Sequence, residues 1–271
     1  MSTALNETTR AADLAEPVRD TVRDLILVLA DSKRLLGMRY GNWMLGAPEL
    51  EAGIACASMA QDEWGHARLL YALLKDFDED VDRLEHGRDA AEYRSIEALD
   101  AEPASWPELV AVNTFVDAAL TLQLEALAHS SYLPLRQRVQ KLIEEEAFHA
   151  AHGAAWLRRI AGAGPEARAA MHDAVAAVLP HVLRWFGPDS NRMRALQDAS
   201  VVDAAGSDLR ARFIERTAAL IRVAGGPEDL AAVEPDFAEF DEVARRTTGT
   251  APDDATIARI RGDRNRVFLM D

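Results

Sequence analysis

Two Glu-x-x-His pairs stand far apart in the chain, Glu63-Trp-Gly-His66 in QDEWGHARLL and Glu146-Ala-Phe-His149 in EEEAFHAAHG. A carboxylate and an imidazole three residues apart project from the same helix face, so each pair offers two metal ligands from one turn. Two such turns facing each other can hold metal ions between them, provided further carboxylates come from two other helices. Either pair alone is weak, because a chain with 45 acidic residues produces Glu-x-x-His by chance. A surface Glu beside a core His would explain one pair. It does not explain two pairs in register with apolar seams. Cys56, Met59, Glu63, His66, Leu70 and Leu73 follow steps of three and four, and so do Val139, Leu142, Glu146, His149, Gly153 and Trp156. Both pairs therefore belong on core-facing stripes. A carboxylate there must be paired, protonated or bound to a metal.

Two more helices must complete such a site. On one, the seam Asn113, Asp117, Leu120, Leu124, Leu127 carries a single acid, Asp117, while Glu125 falls off it. On the other, the seam Val22, Ile26, Leu29, Lys33, Leu36 carries a lysine where a carboxylate is expected. Three readings of Lys33 stay open at this level. Its charge replaces one metal ion among the carboxylates; or burial and a metal deprotonate it into a ligand; or it snorkels to the surface, and Asp31 or a water completes the shell. His152 lies just off the seam and suits a supporting or surface role. His86, His129, His172 and His181 have no ligand spacing.

The elements that must position these residues are helices, since strand signals are nearly absent. The pattern predicts helices over about 17–45, 48–77, 105–131, 134–162 and 165–186, then shorter helical stretches at about 207–224 and 237–248. Residues 1–15 are expected to be flexible, 16–190 to form the bundle with the metal site, and 191–271 a helical C-terminal extension. Disorder after about residue 250 is the duller alternative for its end. The fold class is all-α, a four-helix bundle with additional C-terminal helices. At 271 residues the chain can bury a sizeable core. A formal net charge of −15 argues against nucleic acid and anionic membrane surfaces. No uninterrupted apolar run approaches the roughly 20 residues of a membrane span. The N-terminal segment has no signal-like apolar core. The single cysteine, Cys56, fits a reducing, cytoplasmic setting.

The segments GNWMLGAPELEAGIACASMAQDEWGHARLLYALL, TFVDAALTLQLEALAHSSYLPLRQRVQKLIEEEAFHAAHG and PHVLRWFGPDSN resemble the phenylacetyl-CoA epoxidase catalytic subunit family over roughly residues 20–250. The resemblance implies a ferritin-like di-iron bundle that inserts one oxygen atom from O2 into the ring of an aromatic CoA thioester. It carries the family's metal ligands onto Glu63, His66, Asp117, Glu146 and His149, the five residues already picked by spacing. The sixth family ligand, a Glu on the first helix, falls at or next to Lys33. Family members also carry a Lys one turn before the second-helix Glu, where this chain has Met59. The family includes a related partner subunit that has lost its metal.

The expectation is therefore a subunit of a multicomponent oxygenase, an epoxidase-like monooxygenase of phenylacetate catabolism. Glu63, Glu146 and Lys33 stand nearest the chemistry, and one or two iron ions, or manganese, act as cofactor. Its partners are O2, an aromatic acyl-CoA-like substrate and a related helical subunit or a second copy of the chain. A separate reductase must supply electrons, because the chain has neither a flavin fingerprint nor a cysteine cluster. The alternatives are a scaffold subunit with a degenerate site and a metal-storing or peroxide-handling bundle.

Overall fold

The computed structural model describes residues 7–226 and 235–268. Its frame is two long helix pairs. Helix α1 (Glu16–Asn42) starts with Pro17 in its first turn, where a missing N–H costs nothing. It turns back into α2 (Leu50–Leu73), and these two make the most extensive helix contact in the molecule. Helix α3 (Val81–His86) lies in the connection to the second pair. That pair begins at α4 (Trp106–Ala111), where Ser105 caps the N–H of Glu108 and the Glu108 carboxylate accepts from the Ala104 N–H. After a π-helical turn at Val112–Val116 it continues as α5 (Asp117–Ala126). It returns as α6 (Leu133–Gly162). Helix α7 (Pro165–Trp185) covers α6 and α4, α8 (Asn191–Asp198) covers α1, and α9 (Ser207–Val223) covers α5 and α6. One hydrophobic core runs from Ala11 to Ile257 through all of them.

Trp106–Ala126 would pass as a membrane span by length and composition, yet 83% of its most apolar stretch is buried in the protein. Its apolarity is that of a central bundle helix. Residues 1–6, part of the segment expected to be flexible, lie outside the described residues. Beyond them the chain is tied down: Thr8 bridges to Tyr132, and the Ala11 N–H donates to Asp76 at 2.6 Å.

The expected helix at 237–248 is replaced by a two-stranded turn, β1 (Phe240–Asp241) paired with β2 (Arg246–Thr247). The reason is local. The Asp241 carboxylate accepts from the N–H groups of Val243 and Ala244, a turn bond that competes with helix. Glu239 and Arg245 take positive φ, which no helix admits. The result is a clasp. The buried Arg245 guanidinium donates to the carbonyls of Trp185 and Phe186 at 3.0 and 2.9 Å and to Gln123 at 2.8 Å, closing the negative end of α7. Beyond it, α10 (Asp254–Arg261) is capped by Asp253 and packs Ile257 into the core.

Glu97 fastens this clasp by accepting from the Thr247 N–H at 2.6 Å and the Thr250 hydroxyl at 2.9 Å. Burial opposes its ionisation, but hydrogen bonds from His181, Thr247 and Thr250 prevail and hold its carboxyl well below the usual range. A depressed carboxyl contributes stability fully above the unfolded value of about 4.3, and loses that contribution as pH falls below it. Amide protection at Thr247 should therefore drop on acidification before the bundle itself opens, and Glu97→Gln should lower it at neutral pH. Protection unchanged in that variant would remove Glu97 from the clasp.

Candidate metal centre

Four elements bring five of the six singled-out residues into direct contact. The Lys33 ammonium, fully buried on α1, donates to Glu63 Oε1 on α2 at 2.9 Å, to Asp117 Oδ1 on α5 at 3.0 Å, and to Glu146 Oε1 on α6 at 2.5 Å. His149 Nδ1 stands 3.2 Å from Glu63 Oε1, 3.0 Å from Asp117 Oδ2 and 3.4 Å from Glu146 Oε2. The sixth, His66, joins from the side, with Nδ1 3.2 Å from Glu146 Oε1. All six side chains are buried.

The electrostatics follow from burial. Desolvation alone would push the Lys33 ammonium down, but Asp117, Glu146 and Glu63 surround it and hold it well above the usual lysine range. Lys33 thus faces the three carboxylates from within the core and does not snorkel to the surface. Burial likewise opposes a charge on His149, and its contacts with Asp117, Glu146 and Glu63 raise it far above the usual imidazole value. Desolvation raises the Glu63 carboxyl, with Lys33 pulling the other way. Glu146 is held well below the usual carboxylate range: burial opposes this, and Lys33 with the two histidines outweighs it. Lys33 and His149 therefore face three carboxylates in a buried pocket. Asp31, the other candidate to complete the shell, is elsewhere, paired with Arg88.

Residues that sequence spacing did not single out hold the cage in shape. His66 Nε2 meets Glu145 Oε2 at 2.7 Å, and His149 Nε2 lies 3.4 Å from Asp62 Oδ2. Each imidazole thus turns Nδ1 inward and Nε2 toward a carboxylate of the opposite helix, the arrangement that orients metal-binding histidines. The signal was present in the sequence: Asp62-Glu63 and Glu145-Glu146 repeat an acid immediately before each Glu of a pair. Tyr40 donates to Asp117 Oδ2 at 3.0 Å, Asn113 donates to the Tyr40 oxygen at 2.9 Å, and His152 Nδ1 meets Asn113 Oδ1 at 3.1 Å. The π-helical turn ends at Asp117 and aims Asn113 and Thr114 at α6. Only glycine at position 153 admits them, since a Cβ there would lie 2.8 Å from Asn113 Oδ1 and 2.9 Å from Thr114 Oγ1.

Glu63, Asp117, Glu146 and His149 each present a ligand atom within 4.8 Å of the others, a spread that one ion can bridge. One buried atom points the same way: Glu63 Oε2 has no hydrogen-bond partner among the described residues. The donor set fits one ion. A second would compete with the Lys33 ammonium for the same carboxylate oxygens.

A helical bundle with a Glu-x-x-His pair from each of two helices and an acid from a third is a ferritin-like carboxylate–histidine protein. The phenylacetic acid catabolic protein family matches residues 1–228, and the chain belongs to it. One component of the 1,2-phenylacetyl-CoA epoxidase of Escherichia coli (strain K12) is 27% identical over 192 residues, 68% of this chain and 61% of that component. The chain thus spans under two thirds of that relative's length. A second, different component of the same epoxidase is 26% identical over 179 residues, 65% of this chain and 72% of that component. Among solved structures, an R2-like ligand-binding oxidase with aerobically reconstituted Mn/Fe cofactor aligns over 95% of this chain and 82% of its own, at 15% identity and a TM-score of 0.47.

Proposed function

We propose that this chain is a subunit of a multicomponent oxygenase that acts on an aromatic acyl-CoA-like substrate. We further propose that its cage holds one iron ion beside Lys33. The observation that carries this reading is the buried cluster of Glu63, Asp117, Glu146 and His149 with Lys33 bonded to its three carboxylates. Those four residues would hold the ion, joined by the inward-facing Nδ1 of His66, 3.2 Å from Glu146 Oε1. Iron so held supplies activation of O2, with electrons from a separate reductase; manganese is the other ion this donor set accepts.

The chain's own groups have definite tasks. Lys33 neutralises carboxylate charge on the α1 side, where the family places another acid. Glu145 and Asp62 fix the two imidazoles with Nδ1 inward. Tyr40 and Asn113 hold the Asp117 carboxylate in orientation. The similarity to two different components of one epoxidase supports work alongside a related helical subunit.

A second reading is a scaffold subunit without metal, and the same geometry supplies its argument. Lys33 and His149 already offset most of the carboxylate charge. Elemental analysis of anaerobically purified protein separates the two. One tightly bound ion per chain, lost in His149→Ala, supports the oxygenase reading, and no ion under any loading condition supports the scaffold. Lys33→Glu should raise the stoichiometry toward two. Two ions beside an unchanged Lys33 would overturn the role given to that lysine. Because the bound ion must displace the His149 proton, metal affinity should rise with pH.

A further inference from the structure

Three of the chain's five tryptophans cluster beside the cage, on three different helices. Trp106, at the start of α4, meets Trp156 of α6 with ring centroids 5.0 Å apart and Trp43, at the end of α1, at 5.8 Å. Its ring also stands edge-on to His152, with centroids 6.5 Å apart. From His152 the contacts run inward. Its Nδ1 meets Asn113 Oδ1 at 3.1 Å, Asn113 Nδ2 donates to the Tyr40 oxygen at 2.9 Å, and the Tyr40 hydroxyl donates to Asp117 Oδ2 at 3.0 Å. Tyr40 is fully buried, whereas His152 and the three tryptophans are half-buried, so an unbroken line of contacts joins the cage to the protein surface. Core packing accounts for the ring contacts. It does not account for Trp106 Nε1 and His152 Nε2, which are buried and have no hydrogen-bond partner among the described residues. A buried indole N–H ordinarily finds one, and its absence calls for a reason. A carboxylate or imidazole bonded there would take the proton of an oxidised indole and trap the ring as a neutral radical. Without it, an oxidised Trp106 keeps its proton and is refilled by an electron alone.

We propose that this line is a single-electron relay that protects the cage, refilling it from the surface when an oxidising equivalent forms there with no substrate to consume it. Tyr40 gives the cage one electron and gives its hydroxyl proton to Asp117 Oδ2, the oxygen it already bonds. Trp106 then returns an electron to Tyr40 across Asn113 and His152, and the proton moves back from Asp117. Trp43 refills Trp106. A thiol in solution refills Trp43, losing one electron to the ring and its proton to water, and two such thiols end as a disulfide. Trp43 rather than Trp156 forms the outer end. The Arg159 guanidinium stacked 4.5 Å over Trp156 repels a positive charge on that ring, while the Trp43 N–H donates to the Pro103 carbonyl at 3.2 Å, which favours one. The protective role rests on the oxygenase reading; the relay itself does not.

The relay is tested in the full, chelator-treated chain by driving it inward from outside. Photogenerated tris(bipyridine)ruthenium(III) draws an electron from a surface tryptophan, and a hole that reaches Tyr40 should appear as a tyrosyl radical in the electron paramagnetic resonance spectrum. Tyr40→Phe should remove that signal, which separates Tyr40 from Tyr71, Tyr93 and Tyr132. Trp106→Phe should also lose it, Trp43→Phe should lose most of it, and Trp156→Phe should keep it. Trp43→Tyr should restore what Trp43→Phe loses, because a phenol can be oxidised and a phenyl ring cannot; a purely structural role would not separate the two. Chemical denaturation of each variant confirms that it is folded. No Tyr40 signal in the parent chain, a full signal in folded Trp106→Phe, or Trp156→Phe losing as much as Trp43→Phe would each overturn the relay. The protective role is read in the iron-loaded chain, reduced and exposed to O2 without substrate. There Trp106→Phe should accumulate several-fold more oxidised Tyr40 and Met59 than the parent by mass spectrometry, and equal damage would overturn that role. A chain that binds no iron would overturn the oxygenase reading and the protective role together, while the radical measurement decides the relay separately.

Discussion

Lys33→Met is expected to strip about 3–5 kcal/mol from the stability of the chelator-treated protein, the usual cost of breaking a buried pair by removing one partner. The side chains are similar in length, so the cavity contribution is small and the effect is electrostatic. Glu63, Asp117 and Glu146 lose a shared donor at 2.9, 3.0 and 2.5 Å, and no water can replace it in a site where all three are buried. A domain of this kind has only about 5–15 kcal/mol in total, so the change should be plain in chemical denaturation. Iron or manganese should restore more stability to this variant than to the parent chain, because the ion supplies the missing positive charge. Equal stability of variant and parent without metal would mean that the carboxylates are neutral and that Lys33 does not hold the cage.

The second large effect is expected at Asp31. It accepts from Arg88 Nη1 at 2.9 Å, from Arg88 Nη2, from the Tyr71 hydroxyl at 2.5 Å and from the Arg94 N–H at 2.8 Å, with no solvent exposure. Asp31→Ala leaves the Arg88 guanidinium buried, retaining hydrogen bonds only to the Leu84 and Glu92 carbonyls and a contact with Tyr71. The expected loss is again about 3–5 kcal/mol. Here metal should rescue nothing, because this pair lies apart from the cage. That contrast separates the two variants: both unfold more easily, but only Lys33→Met should respond to iron. A metal-dependent recovery of Asp31→Ala would bring Asp31 back into the shell around the ion.

Much of the cage was legible in the chain because helical periodicity is a local property. Glu63, His66, Asp117, Glu146 and His149 fall on apolar seams at steps of three and four, and a buried carboxylate on such a seam demands a partner wherever the helices pack. The all-α character follows from the same pattern. The turn at Phe240–Thr247 did not follow, because Asp241 and Arg245 redirect the backbone through bonds to their own neighbours and to the distant end of α7. Asp62 and Glu145 were visible as a repeated acid before each pair, but each acts on the histidine of the other helix. Only the crossing of α2 and α6 could assign them.

Residue type and spacing by themselves determined which side chains share a helix face and that a lysine stands where an acid was expected. They could not choose between a lysine facing solvent, acting as a neutral ligand or serving as a counter-charge. Those outcomes differ in where the ammonium lies relative to groups 30, 84 and 113 residues away. Tertiary structure excluded the first by placing three carboxylates around one nitrogen in a buried pocket, where their attraction opposes the cost of burying the charge.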